Sequence, residues 1–143
     1  MKRLALLAIL ISLGSHVTVS AESDNEVKAR KTALDLAGAF SNDGFKIRDG
    51  HWSGSVKAEE PALIAVNLYA GNQYWFAAAA DAEGKKVGVK VYDETGNQVT
   101  VENYESGETA AAGFSPESSG QYYVSVSLLE GEPGSVCLVC SYK

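Results

Sequence analysis

Two cysteines and one histidine are the strongest nucleophiles and metal ligands of the sequence beyond residue 21. Cys137 and Cys140 have the Cys-x-x-Cys spacing of redox pairs, but they lie in an alternating apolar stretch near the C-terminus. Residues three apart in an extended strand are about 10 Å apart and point to opposite faces, whereas a disulfide requires Cα atoms within roughly 7 Å. We therefore predict two strand cysteines that are not bonded to each other, with a redox role as the alternative.

The histidine, His51, is not expected to serve catalysis or metal binding. The sequence has no Gly-x-Ser-x-Gly segment that would present a serine nucleophile beside it. One histidine and two cysteines also fall short of the four ligands that a structural zinc site usually has. We therefore predict no catalytic residues and no metal-ligating residues.

Neighbouring carboxylates are the remaining candidates for acid–base chemistry. They are Glu59 with Glu60, Asp93 with Glu94, and Glu102 with Glu105. A glycosidase needs two carboxylates that face each other across a cleft, and these acids lie mostly beside turn residues. The turn at 93–97 offers oxygens to calcium but lacks the spacing of an EF-hand loop. The sequence therefore predicts no cofactor, with bound calcium as the alternative. The alternative to a non-catalytic function is a small secreted hydrolase that uses paired carboxylates.

The aromatic residues point more clearly to a binding surface. If Tyr74 and Phe76 face the core, alternation along the strand places Trp75 on the opposite side. The predicted ligand-binding residues are Trp52, Trp75 and Tyr123. Together they would line one exposed face and stack on a sugar ring or a peptide side chain. In the alternative, an N-terminal helix covers that face through Leu36 and Phe40.

The elements that must position these residues are one helix and a series of strands. Residues 26–40 contain no proline and repeat apolar residues at helical spacing, and the sequence at 41–44 is typical of a helix end. After Gly44 the apolar period changes to two, with glycine-bearing turns every 10–20 residues. The predicted strands are 63–69, 73–79, 87–91, 110–114, 122–128 and 136–142, with a further strand around 99–101. This pattern predicts an all-β antiparallel sandwich or barrel preceded by one amphipathic α-helix.

Three motifs in the β region follow one another in a recognisable order. They are Leu-x-Ala-Gly-x-x-Tyr-x-Phe at 68–76, Tyr-Asp-x-x-Gly-Asn at 92–97 and Ser-Gly-x-Tyr-Tyr-Val-x-Val at 119–126. In order and spacing they resemble the bacterial pre-peptidase C-terminal domain, which is found beside secreted proteases. The resemblance covers 45–143 and implies a jelly-roll-like β-sandwich in an extracellular setting. The related collagen-binding modules of secreted collagenases bind calcium, but no motif here transfers their ligands to individual residues.

The first 21 residues have the pattern of a cleaved signal peptide. A basic start is followed by an apolar run of about ten residues and by Val19-Ser20-Ala21, whose small residues suit signal peptidase. A membrane span needs roughly 20 apolar residues, so a transmembrane anchor is the weaker alternative. We predict a signal peptide at 1–21, a helix with its cap at 22–44, and a β-sandwich domain at 45–143. The expected location is periplasmic or secreted, with no membrane insertion after cleavage.

Composition narrows the choice of partners. The 143 residues are 45% hydrophobic and 21% charged, as in ordinary globular domains, and the net charge of −6 has the wrong sign for binding nucleic acid. The sequence therefore predicts a secreted, non-catalytic binding or assembly module. Its expected partner is a protein or glycan ligand outside the cytoplasm, bound through a glycan or an extended peptide. A small hydrolase and a modulator of a secreted protease are the alternatives.

Overall fold

The computed structural model describes residues 23–143, so the predicted signal peptide at 1–21 lies outside the described residues. Within this part of the chain, no helical segment combines the length and apolar character that crossing a membrane requires. The elements are α1 (Asp24–Phe40), a 3-10 turn (Ser41–Asp43), β1 (Lys46–Val56), β2 (Ala62–Leu68), β3 (Tyr74–Ala80), β4 (Lys86–Tyr92), β5 (Glu102–Ser106), β6 (Thr109–Phe114), β7 (Gly120–Glu130) and β8 (Gly134–Tyr142).

The N-terminal helix α1 confirms the predicted helix and begins two residues earlier than predicted. The Ser23 hydroxyl oxygen accepts a hydrogen bond from the Glu26 backbone N–H at 3.2 Å, which caps the first turn. Asp24 and Glu26 place negative charge beside the positive end of the helix dipole. After the 3-10 turn, Gly44 adopts the left-handed conformation, with φ of 89°, and directs the chain into β1.

The strands form two antiparallel sheets. The five-stranded sheet has the order β1-β8-β3-β6-β5, and the three-stranded sheet has the order β2-β7-β4. Alternate residues of both sheets point inward and share one core, whose fully buried members include Phe76, Val87, Val91, Val124, Val126 and Val136. This arrangement confirms the predicted antiparallel β fold with one N-terminal helix.

Helix α1 covers the outer face of the five-stranded sheet through small side chains. The helix residues Ala29, Ala33 and Ala37 are fully buried against a patch of the sheet formed by Ala77, Ala79, Cys137 and Val139. Side chains of this size allow the helix backbone to lie close to the sheet. The helix therefore docks by close approach of two shallow surfaces.

The two cysteines occupy opposite faces of β8, as predicted. Cys137 lies in the helix–sheet cluster, whereas Cys140 packs against the core between the sheets. They are not bonded to each other. Burial raises the pKa of the Cys140 thiol to about 11, against a smaller opposing effect of the nearby Arg48 guanidinium.

An ion pair in the β3–β4 turn holds that turn to the start of β8, at the end of the molecule where β3 and β7 finish. The Asp81 carboxylate accepts a hydrogen bond from Lys85 Nζ at 2.6 Å and a second from the Ser135 backbone N–H at 3.0 Å. The Asp81 side chain is buried and that of Lys85 is half-buried, with 4% of Asp81 and 15% of Lys85 exposed. Gly134 lies against this pair, and a Cβ there would collide with Lys85 Nζ and the Asp81 carboxylate.

Candidate ligand-binding cleft

The first predicted binding residue, Trp52, faces the space between the two sheets. It pairs with Leu138 across β1 and β8 and packs against the shared core. Its ring lies over Gly54, where an added Cβ would be 2.5 Å from Trp52 Cζ2. The side chain also lines a cleft of about 310 Å³ between the edge strands β1 and β2.

The second predicted residue, Trp75, lies on the outer face of the five-stranded sheet beneath the end of α1. Its ring stacks on Phe40 with centroids 4.5 Å apart and an interplanar angle of 5°. Gly113 lies beside the same ring, where an added Cβ would be 2.9 Å from Trp75 Cζ2. The expected helix cover through Phe40 is present, and Leu36 packs nearby against the helix–sheet cluster.

The third predicted residue, Tyr123, lies on the outer face of the other sheet. It is flanked across the strands by Ala65 and Tyr92, and its hydroxyl donates to Gln121 Oε1 at 3.4 Å. The prediction of one shared face for Trp52, Trp75 and Tyr123 is therefore wrong. Alternation shows on which side of its own strand a residue lies, but it does not show to which sheet that strand belongs.

A cleft of about 820 Å³ lies at the end of the molecule where β4 meets β5 and β6 meets β7. This volume is within the range of pockets that bind small molecules. Of the three predicted residues, only Trp75 contributes to its lining. The remaining lining residues are Phe45, Gln73, Tyr74, Asp93, Val99, Thr100, Val101, Glu102, Gly113, Phe114, Ser115, Glu117, Ser118 and Tyr122.

The floor of this cleft is apolar and fixed in place. Phe114 and Tyr122 meet edge to face with ring centroids 5.3 Å apart, which is a favourable aromatic geometry. The Tyr122 hydroxyl donates to the Ser118 carbonyl at 2.7 Å and so ties the β6–β7 loop to the floor. This part of the cleft is consequently formed before any ligand arrives.

The rim of the cleft carries three carboxylates, from Asp93, Glu102 and Glu117. Asp93 Oδ1 accepts hydrogen bonds from the Thr95 hydroxyl at 2.7 Å, the Thr95 N–H at 3.0 Å and the Asn97 N–H at 3.0 Å. These bonds, that of the Thr95 hydroxyl first, hold the pKa of Asp93 below its usual value. The Asp93 carboxylate is therefore ionised and shapes its own turn.

The predicted calcium alternative fell on this turn. Oxygen Oδ1 of Asp93 is already occupied by three donors of the protein. Across residues 23–143, no group of three or more His, Cys, Asp or Glu side chains is placed to hold a metal ion.

The cleft borders an exposed edge strand. Glu102 is both a cleft residue and the first residue of β5, which is the last strand of the five-stranded sheet and is exposed along its whole length. An edge strand presents backbone N–H and C=O groups that can pair with an added strand. Its two glutamates, Glu102 and Glu105, oppose pairing with an acidic chain.

Sequence reasoning missed this cleft because it forms where loops and the ends of several strands meet. The signal available was the Asp-x-Thr-x-Asn turn at 93–97 together with the Ser-Pro turn at 115–116, but turn residues alone do not show which loops meet in space. In comparisons with known proteins, the chain matches no family model and no curated protein. The resemblance to the pre-peptidase C-terminal domain therefore stays a prediction based on three motifs.

Proposed function

We propose that this protein is a periplasmic or secreted, non-catalytic binding module with a jelly-roll-like β-sandwich, and that it binds an extended, basic segment of a polypeptide. One observation carries the proposal: a cleft with an aromatic floor and a carboxylate rim adjoins an exposed edge strand. A peptide that pairs with an edge strand gains affinity from backbone hydrogen bonds and specificity from side-chain pockets.

The surroundings of Trp75 favour a peptide over a glycan as the ligand. Sugar rings are held best when they stack on an open aromatic face. One face of the Trp75 ring is taken by Phe40, and the ring also lies against Gly113 of β6. The edge of the ring is what remains for the cleft.

The rim charges set the expected sequence of the peptide. Asp93, Glu102 and Glu117 attract lysine and arginine side chains, while Phe114 and Tyr122 offer an apolar surface to the residues between them. We therefore expect alternating basic and apolar residues in the bound segment.

The state of Asp93 argues against this residue as the general acid of a hydrolase. A general acid must hold a proton near neutral pH, which requires a raised pKa. The pKa of Asp93 is instead lowered by hydrogen bonds from its own turn. Asp93 is therefore suited to binding a cation and unsuited to donating a proton.

The test compares two extended peptides that share their apolar residues and differ only in carrying Lys or Glu at alternate positions. Affinities measured by calorimetry should favour the Lys peptide and should weaken as salt is added. Replacing Glu102 and Glu117 together by Gln should weaken the Lys peptide about fivefold, from two exposed ion pairs of roughly 0.5 kcal/mol each.

The matched control is Glu132→Gln, which removes an exposed carboxylate from the β7–β8 turn. It should leave the affinity for the Lys peptide within about twofold of wild type, because exposed charges farther apart than a Debye length of ~8 Å are largely screened. Equal binding of the Lys and Glu peptides would contradict the proposal. So would cleavage of either peptide, which would instead support the hydrolase.

A further inference from the structure

The cleft described above is called the acidic cleft, after the carboxylates of Asp93, Glu102 and Glu117 on its rim. A second cleft, of about 420 Å³, lies near the acidic cleft and shares one residue of its lining with it. Its lining residues are Ile47, Arg48, Tyr69, Asn72, Tyr74 and Tyr142, and only Tyr74 belongs to both clefts. The charged member of this lining is Arg48, whereas the charged members of the first cleft are acids. The two clefts are therefore suited to chemically opposite groups.

The Arg48 guanidinium has donors to spare. Its Nη1 donates to the Asn67 carbonyl at 2.9 Å, and it also lies beside the Cys140 thiol. A guanidinium carries five N–H donors, so these contacts leave several unused. In the part of the chain that the structure describes, the side-chain ion pairs do not include Arg48.

Neither contact neutralises the Arg48 charge. A backbone carbonyl has no formal charge, and burial raises the pKa of the Cys140 thiol to about 11, which keeps it protonated at neutral pH. A carboxylate is the group that best matches a planar, positively charged fork of donors.

Tyr74 adds a neutral donor to the same cleft. Its hydroxyl oxygen accepts hydrogen bonds from the Tyr69 backbone N–H at 2.9 Å and from Asn72 Nδ2 at 3.2 Å. A phenol has one hydrogen and about two acceptor positions, so both acceptor positions are used. The hydrogen remains for an acceptor in the cleft that Tyr74 lines.

Large apolar side chains surround these donors. Tyr69 is 57% exposed, Ile47 45% and Tyr142 36%, although each is large enough to gain from burial. A ligand that covers them would bury an apolar body while its charged group meets Arg48.

We propose that Arg48, the Tyr74 hydroxyl and these apolar walls form a second binding site, which takes a carboxylate attached to an apolar group, as in the C-terminal residue of a peptide. The site stands on its own residues and does not depend on the proposed function of the acidic cleft. A terminal carboxylate and an Asp side chain share this chemistry, so the test must separate them.

The probes are three N-acetylated tripeptides without basic residues. One ends in phenylalanine with a free carboxylate, the second is its C-terminal amide, and the third is an amide with an internal aspartate. In amide and side-chain NMR spectra of the 15N-labelled protein, the free acid should shift the signals of Arg48, Asn72 and Tyr69. The amide should bind about tenfold more weakly, because it loses a charge-assisted hydrogen bond.

The three probes give separate outcomes. Equal binding of the free acid and its amide would overturn the carboxylate site. Binding of the internal-aspartate peptide as tightly as the free acid would overturn the assignment to a terminal carboxylate. Shifts confined to the acidic cleft would overturn the location.

The variants Arg48→Gln and Lys90→Gln each remove one positive charge, the second from an exposed position on the other sheet. Arg48→Gln should weaken the free acid about tenfold and Lys90→Gln less than twofold. Since Arg48→Gln also loses the bond to Asn67, Tyr69→Ser provides a second test through an exposed wall residue and should weaken binding about threefold. Wild-type affinity in either folded cleft variant would overturn the proposal. The double variant with Glu102→Gln and Glu117→Gln should bind the free-acid tripeptide with wild-type affinity. That result would show that this site does not depend on the acidic cleft.

Discussion

The stacked pair of Phe40 and Trp75 should hold the end of α1 on the sheet, and a double-mutant cycle can measure how strongly. Truncating a fully buried phenylalanine costs about 3–5 kcal/mol, and Phe40 is only half-buried, so Phe40→Ala should lower the free energy of unfolding by ~2 kcal/mol. About 1 kcal/mol of this should be the stacking itself, given parallel rings with centroids 4.5 Å apart. Trp75→Ala should cost about 2–3 kcal/mol, because Trp75 is also only half-buried.

The assay is urea unfolding followed by far-UV circular dichroism, which does not depend on the tryptophan that one variant removes. Because each single variant already removes the stacking, the double variant should lose about 1 kcal/mol less than the two single losses added together. Phe76→Ala sets the upper reference at about 3–5 kcal/mol, since Phe76 is fully buried. Tyr104→Ala on the exposed strand β5 sets the lower reference, within ~0.5 kcal/mol of wild type.

Strict additivity of Phe40→Ala and Trp75→Ala would refute this account of helix docking. If Trp75→Ala did not lower the free energy of unfolding, the Trp75 ring would have to be exposed and available for binding. That result would restore Trp75 as an open aromatic platform and weaken the case for a peptide ligand in the cleft.

Three further predictions concern other parts of the molecule. Asp81→Asn should cost about 3 kcal/mol in urea unfolding, because it removes the buried carboxylate and leaves the half-buried Lys85 without its partner. Burial raises the pKa of Asp81, but the Lys85 and Ser135 hydrogen bonds outweigh this and lower it. The stabilisation by the Asp81 carboxylate should therefore be present above pH 3.8, the pKa of Asp81 in the unfolded chain, and be lost as the pH falls through its lower pKa in the folded protein. Thermal melts of Asp81→Asn at acid pH should not show this loss. Gly113→Ala should cost about 1–3 kcal/mol in thermal melts, because its Cβ would press on the Trp75 ring. The Cys140 thiol, with its pKa raised to about 11, should react with a disulfide reagent at pH 8 about a hundredfold more slowly in the Cys137→Ser variant than after unfolding.

The sequence predicted the buried strands well and the exposed ones poorly. Strands β3, β4 and β7 place one face or both in the core, so their apolar residues alternate or cluster visibly. Strand β5 is exposed at every position and has no apolar period to detect. Val99 and Val101 suggested a strand but lie in the β4–β5 connection, where they line the acidic cleft.

The candidate sites were harder to predict than the strands because they depend on which segments meet. Alternation correctly placed Trp75 opposite Tyr74, yet the sheet order then placed Trp75 and Tyr123 on separate surfaces. The acidic cleft joins Asp93, Glu102 and Glu117 from two connections and one strand. Such joining is set by sheet packing, which no local period in the sequence records.

The position of β8 in the five-stranded sheet has a consequence for how the chain folds. Strand β8 lies between β1 and β3 and bonds to both, so that Lys46 pairs with Tyr142, which is far from it in the sequence. Without β8, β1 would have no neighbour in the sheet and β3 would lose one of its two neighbouring strands. A chain emerging from the ribosome therefore cannot complete this sheet until β8 has been synthesised, and contacts between such distant residues make folding slow. Deleting the β8 segment should abolish folding altogether, whereas the same loss from an edge strand would leave the sheet's centre paired.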